Sequence, residues 1–200
     1  MSRKRLTAGA ATPFVLSATP AATAAYGDGH YLVPDTNVFL HCMDAVEHRA
    51  AFHDVVVLQT VLEELRHRSL PLYGRLRALA AAGAGGAKRF YVFHNEFRRD
   101  THVRRRPGES SNDRNDRAVR AACAWYRAHL AAATAAAAAR CPAVVMLSDD
   151  RDNLRRARAE GIACSNGTVP RPSTSAAVRA DNAQSRNMSR ACRTPTSCST

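Results

Sequence analysis

Lysine is nearly absent from this chain. Lys4 and Lys88 are the only two lysines in 200 residues, so the basic surplus, 29 Lys+Arg against 17 Asp+Glu, is almost entirely arginine. Zinc-ligand spacing is missing too. The six cysteines, Cys42, Cys123, Cys141, Cys164, Cys192 and Cys198, form no CxxC pair and join no His/Cys cluster. Scattered in apolar company, they read as reduced, mostly buried thiols of an intracellular protein rather than a disulfide framework. No apolar run reaches the roughly 18–20 residues of a membrane span. The run Ala131–Ala139 is short, and alanine is too weakly hydrophobic to hold it in lipid. Phe14-Val15-Leu16 is too small an apolar centre for a secretory signal.

What is present begins with charge. The formal net charge is +12, which favours a polyanionic partner because neutralised phosphates release counterions. The arginine and alanine bias of a GC-rich coding sequence accounts for the same excess, and charge alone leaves both readings open. Composition divides the chain into three zones. Residues 1–29 are poor in large apolar side chains and are expected to be a disordered extension or an organelle transit peptide. Residues 30–166 alternate apolar runs with helical patterns and form the expected domain. Residues 167–200 are rich in Ser, Thr, Pro, Arg and Asn, too polar to offset the entropy of ordering, and are expected to be disordered.

Within the middle zone, Tyr31-Leu32-Val33, Val55-Val56-Val57-Leu58, Phe90-Tyr91-Val92-Phe93, Val144-Val145-Met146-Leu147 and Ile162-Ala163-Cys164 read as strands. Four consecutive apolar residues suit a strand buried on both faces. Thr60 with Glu63 reads as a capping box opening a helix through Val61, Leu62 and Leu65. A second helical pattern follows Pro71. Asn112 or Asp113 is expected to cap a long helix with Val119, Cys123, Tyr126 and Leu130 on one side, and Asp150–Ala159 reads as a short helix. Strands alternating with helices predict an α/β fold, a mostly parallel sheet covered on both faces.

In such sheets, sites form where loops leave the carboxyl ends of strands. Asp35 follows the first strand directly, and Asp149, Asp150 and Asp152 follow the fourth. Glu64 lies one turn into the helix after the second strand. Asp113 and Asp116 lie in the first turns of the long helix. Each has an ordinary explanation: Asp35 and Asp150 as helix caps, Glu64 as a partner of Arg68 at i+4, Asp113 and Asp116 as acids at a helix start. Acids from four segments aimed at one rim repel one another unless a cation sits among them. Hard Mg²⁺ or Mn²⁺ suits carboxylate oxygens, and one or two such ions assist phosphodiester hydrolysis. Arg98, Arg99, Arg104, Arg105, Arg106 and Arg114 make the densest basic run, either gripping a nucleic-acid backbone or facing water. Trp125 and Tyr126 fit core packing better than base stacking. Thr36 and Asn37 are expected to orient a carboxylate or cap the next helix.

The strings YLVPDTNVFLHCMD, HNEFRRDT, ESSNDRNDRA and SDDRDN, in this order, closely resemble one family over residues 30–162. It is the PIN domain of the catalytic exoribonuclease subunit of the eukaryotic RNA exosome, an RNase II-related protein. The resemblance implies a PIN-like fold and a metal-dependent single-strand RNA endonuclease leaving a 5′-phosphate. By motif its four acids fall on Asp35, Glu64, Asp116 and Asp150, with Asp113 the competitor for the third place and Asp152 a candidate outer ligand. It also implies Mn²⁺ or Mg²⁺, single-stranded RNA rather than DNA, no membrane, exosome ring subunits as partners, and residence in the nucleus, nucleolus or cytoplasm. A catalytically silent docking and RNA-tethering module is the alternative. The family protein continues into cold-shock, exonuclease and S1 domains, so this chain is expected to be a truncated form without processive 3′→5′ activity. The family's preceding cysteine-bearing segment is not visible in residues 1–29, and residues 167–200 match no part of it. The run Ala131–Ala139 is expected to enlarge the loop before the fourth strand.

Overall fold

The four apolar residues of Val55–Leu58 are buried without exception, and so are all five of His30–Pro34. Strands closed on both faces suit the interior of a parallel sheet covered by helices on each side. The computed structural model describes residues 20, 22, 29–47, 52–82, 88–136 and 140–166. Its elements run β1 (His30–Pro34), α1 (Thr36–Glu47), β2 (Val55–Leu58), α2 (Gln59–Arg68), α3 (Leu70–Ala81), β3 (Phe90–Phe93), a 3₁₀ turn (Asn95–Phe97), α4 (Ser111–Ala136), β4 (Ala143–Leu147), α5 (Arg151–Ala159) and β5 (Ala163–Ser165). The five strands lie in the order β3-β2-β1-β4-β5, and every pairing is parallel. This is the expected α/β arrangement.

The chain builds outward from β1 in one direction, through β2 to β3, and then returns to place β4 on the other side of β1. The strand order therefore reverses between β1 and β4, the place where open α/β sheets form a crevice at the carboxyl ends. Register fixes the two ends level: Pro34 pairs with Leu147, and the Asp35 amide donates to the Leu147 carbonyl at 2.9 Å. The residues after each strand, Asp35 on one side and Ser148-Asp149-Asp150 on the other, meet across that crevice.

Three local expectations are corrected. Thr60 does not cap α2, because the helix already starts at Gln59. The Thr60 amide is taken by Asn95 Oδ1 at 3.2 Å, and Glu63 accepts from Gln59 Nε2 at 2.7 Å. The cap of α4 is Ser110, whose Oγ accepts from the Asp113 amide at 3.0 Å, rather than Asn112 or Asp113. The run after Leu130 extends α4 through Ala136 rather than a loop, as the best helix former allows, and residues 137–139 lie outside the described residues. The expectations for residues 1–29 and 167–200 lie outside the described residues, apart from Pro20, Ala22 and Gly29. Pro20 and Gly29 are both buried, and Gly29 has φ +85°. A Cβ there would stand 2.5 Å from the Pro20 carbonyl oxygen, so only glycine fits this entry to β1.

Candidate active site

Asp35 and Asp150 do serve as helix caps. Asp35 Oδ1 accepts from the Val38 amide at 3.1 Å, and Asp150 Oδ1 accepts from the Asp152 and Asn153 amides at 2.8 and 3.0 Å. Capping fixes each carboxylate by one oxygen, which orients the other. Asp35 Oδ2 is buried and makes no hydrogen bond. An anionic oxygen left in that state is costly unless something positive reaches it. Burial pushes the Asp35 carboxyl above its ordinary range, and the Asp149 charge adds to this, while the Ser148 hydroxyl and the Val38 and Asn37 amides pull it back.

Glu64 is held from three sides. Thr36 Oγ1 donates to its Oε2 at 2.9 Å, Asn115 Nδ2 donates to the same oxygen at 3.0 Å, and Arg68 approaches Oε1 at 3.4 Å. Thr36 thus orients a carboxylate, Glu64 rather than its neighbour Asp35, and Asn37 braces Arg68 at 3.3 Å. Asp35, Thr36, Asn37, Thr60, Glu64, Asn115 and Asp116 line a cleft with about 10 Å³ of room, enough for one water-sized body. A wider cavity of about 550 Å³ shares Thr60, Glu64, Asn112 and Asn115 with it and extends to His67, Arg68 and Arg114.

Asp116 gathers the four acids. Its carboxyl is pushed up to about 7, first by burial, then by the charges of Asp150 and Asp35; Arg120 opposes this and Glu64 adds to it. Asp116 therefore stands within electrostatic reach of each of the other three carboxylates. Among the described residues no three His, Cys, Asp or Glu side chains close into a cage. Asp150 does not line the cleft, and Glu64 is drawn toward Thr36 and Asn115. An open set of this kind fits Mg²⁺ or Mn²⁺, which keep several waters and bind through one or two carboxylates.

The remaining candidates lie elsewhere. Asp113 bonds Ser110 Oγ at 2.6 Å and faces Arg156 at 3.9 Å, away from the cleft. Asp152 is exposed and pairs with Arg155 at 3.1 Å. Arg114 is tied inward to Glu96 Oε1 at 2.6 Å and to the Val103 carbonyl at 2.9 Å. Arg98 lies over the Trp125 ring at 4.3 Å, while Arg99, Arg104, Arg105 and Arg106 are exposed. Tyr126 is core, but Trp125 is only half-buried, stacked on Phe93 and His129 at 5.2 and 4.8 Å. Sequence reasoning missed Asn115 and Arg120. Arg120, 4% exposed, binds Asn153 Oδ1 at 2.5 Å and Glu160 at 2.9 Å, and so fastens α5 to α4. An arginine at a helix position otherwise apolar was the available signal.

The family model described as PIN domain matches residues 32–168. The chain belongs to the PIN domain family. The Schizosaccharomyces pombe protein named Exosome complex exonuclease dis3 is 45% identical over 148 residues, covering 74% of this chain and 14% of that protein. Exosome complex exonuclease RRP44 of Homo sapiens is 46% identical over 133 residues, 66% of this chain and 13% of that protein. This PIN domain chain thus spans about one seventh of those relatives. A solved T. brucei RRP44 PIN domain superposes with a TM-score of 0.59 at 31% identity, covering 79% of this chain and 86% of that one. The fold and the motif resemblance agree with these findings.

Proposed function

We propose that residues 30–166 form a divalent-metal-dependent endoribonuclease domain acting on single-stranded RNA in exosome-type processing and decay. The observation that carries this reading is the cleft that Asp35, Glu64 and Asp116 line, sized for one ion or water, with Asp35 Oδ2 buried and unbonded and the nearby Asp150 charge raising the Asp116 carboxyl. Asp35, Asp116, Glu64 and Asp150 are the residues that would hold Mn²⁺ or Mg²⁺. Such an ion supplies positive charge where the phosphodiester gains negative charge during hydrolysis. Asp35 presents its unbonded Oδ2, and Glu64 is aimed by Thr36 and Asn115. Asp150 is fixed by two backbone amides. Asp152 and Asp113 stand outside this group.

The cavity of about 550 Å³ beside the cleft is large enough for a nucleotide, and its His67 and Arg68 suit a phosphate backbone. Arg98, Arg99, Arg104, Arg105 and Arg106 extend the cationic surface, with Arg114 bracing it from within. Relatives named exosome complex exonucleases support an exosome complex as the partner; ring subunits as the contact, and the nucleus, nucleolus or cytoplasm as the compartment, follow from the family resemblance. The test uses a circular single-stranded RNA with Mn²⁺, which only an endonuclease can open. Linearisation to a 5′-phosphate product, lost in Asp150→Asn, supports the reading. Intact circles, or cleavage indifferent to that substitution, overturn it.

A further inference from the structure

The 3₁₀ turn Asn95–Phe97 displays a bare aromatic ring. Phe97 is 82% exposed, an unusual position for a side chain of that size. The turn that carries it is firmly fixed. Asn95 is fully buried, accepting from the Thr60 amide at 3.2 Å and donating to Thr60 Oγ1 at 2.7 Å. Glu96 is tied to Arg114 at 2.6 Å, and Thr101 Oγ1 closes the turn on the Asn95 carbonyl at 2.8 Å. The ring is thus held outward by buried bonds, and a ring ordered in advance loses little entropy on binding.

Its surroundings are cationic. Arg98 stacks on Trp125, and Asp100 is its acidic neighbour at 3.5 Å. Arg99 and Arg104 are exposed, and neither side chain makes an ion pair among the described residues. The ring stands almost alone, with His94 at 6.5 Å between centroids. A protein interface needs a broader apolar centre than one ring. A nucleobase needs one aromatic face, with a cation for its phosphate.

We propose that Phe97 is a base-stacking anchor, assisted by Arg99, for single-stranded RNA running from the acid cleft. Thr60, which lines that cleft, is the residue bonded to Asn95, so turn and cleft are adjacent. The choice of RNA rests on the ribonuclease reading; the anchor itself does not require cleavage.

The experiment measures binding of a short labelled RNA to the full chain by fluorescence anisotropy, in EDTA so that nothing is cut. Phe97→Ala is expected to weaken binding at least about fivefold while leaving the salt dependence unchanged. Phe97→Trp is expected to retain wild-type affinity, and Arg99→Ala to reduce the salt slope by about one. An RNA of abasic sugars is expected not to distinguish Phe97→Ala from wild type. No RNA binding by the wild type, or unchanged affinity in Phe97→Ala, overturns the proposal; the latter result would assign the ring to a protein partner. Circular RNA and Mn²⁺ assayed in parallel separate the two readings. Uncut circles with a Phe97→Ala binding defect sink only the nuclease.

Discussion

Asn115, one turn into the longest helix, donates from Nδ2 to Glu64 Oε2 at 3.0 Å across 51 positions of sequence. Thr36 delivers a second hydrogen bond to the same oxygen from β1's end of the sheet. Glu64 is therefore aimed by two elements other than its own helix, and its direction is a property of the assembled fold.

Removing one of those donors should loosen the aim without unfolding the domain. Asn115→Ala deletes a half-buried hydrogen bond, a loss of about 1 kcal/mol of stability. Partners that orient a metal-binding carboxylate matter more to function, about 10–100-fold in metal affinity or activity. The expected outcome is a right-shifted Mn²⁺ titration of RNA cleavage with a nearly unchanged melting temperature. An unaltered metal titration would show that Glu64 needs no such help.

Arg120 carries a structural load between helices. It fastens α4 to Asn153 and Glu160 of the α5 region, and Asp150 caps α5. Arg120→Ala leaves Asn153, 2% exposed, without its partner and opens a gap where the guanidinium sat. Loss of about 2–4 kcal/mol in urea unfolding is expected from an orphaned buried polar group plus a cavity. A loss below about 0.5 kcal/mol, the range of ordinary surface changes, would refute this role.

These two residues also mark where the sequence was silent. Strands were legible because runs such as Val55–Leu58 are apolar without a break, and the acids because they stand at strand ends. Asn115 carries no periodic signal, and Arg120 shows only as an arginine at an otherwise apolar helix position; their partners lie 51 and 33 positions away. The Thr60–Glu63 pattern misled for the same reason. It satisfies a local rule for helix starts, but Asn95, 35 residues onward, claims the Thr60 amide. Phe97 gives no signal of this kind, because a lone aromatic among charges matches no pattern of core.

The Glu96–Arg114 pair sets an acid limit on stability. Burial alone would raise the Glu96 carboxyl, but Arg114, Thr60 and His102 outweigh it and hold it below its ordinary range. A carboxyl depressed in the folded state contributes stability above its unfolded pKa, about 4.3, and loses that contribution as pH falls through the folded value. Glu96→Gln is therefore expected to flatten the acid limb of the melting curve, with wild type and variant converging at low pH. Parallel curves from neutral to acid pH would contradict the assignment.

Asp116 carries the opposite sign. Its folded carboxyl stands at about 7, raised by burial and by its acidic neighbours. Between its unfolded pKa, about 3.9, and that value the folded state binds the extra proton, so stability falls as pH rises through the interval. Above about pH 7 the metal-free protein bears the whole cost of the crowded charge. Asp116→Asn removes it, and should raise the melting temperature in EDTA at about pH 8 while changing little at acid pH, where wild-type Asp116 is already neutral. Added Mn²⁺ reverses the comparison: a cation among the carboxylates stabilises the wild type by mass action, whereas the variant has lost a ligand and should gain less. The melting temperature in EDTA and in Mn²⁺ at both pH values reads all of this in one experiment. A variant less stable than wild type in EDTA at the higher pH would mean that bonds such as the one from Asn112 Nδ2 at 3.2 Å outweigh the crowding, and that the acids do not share one site.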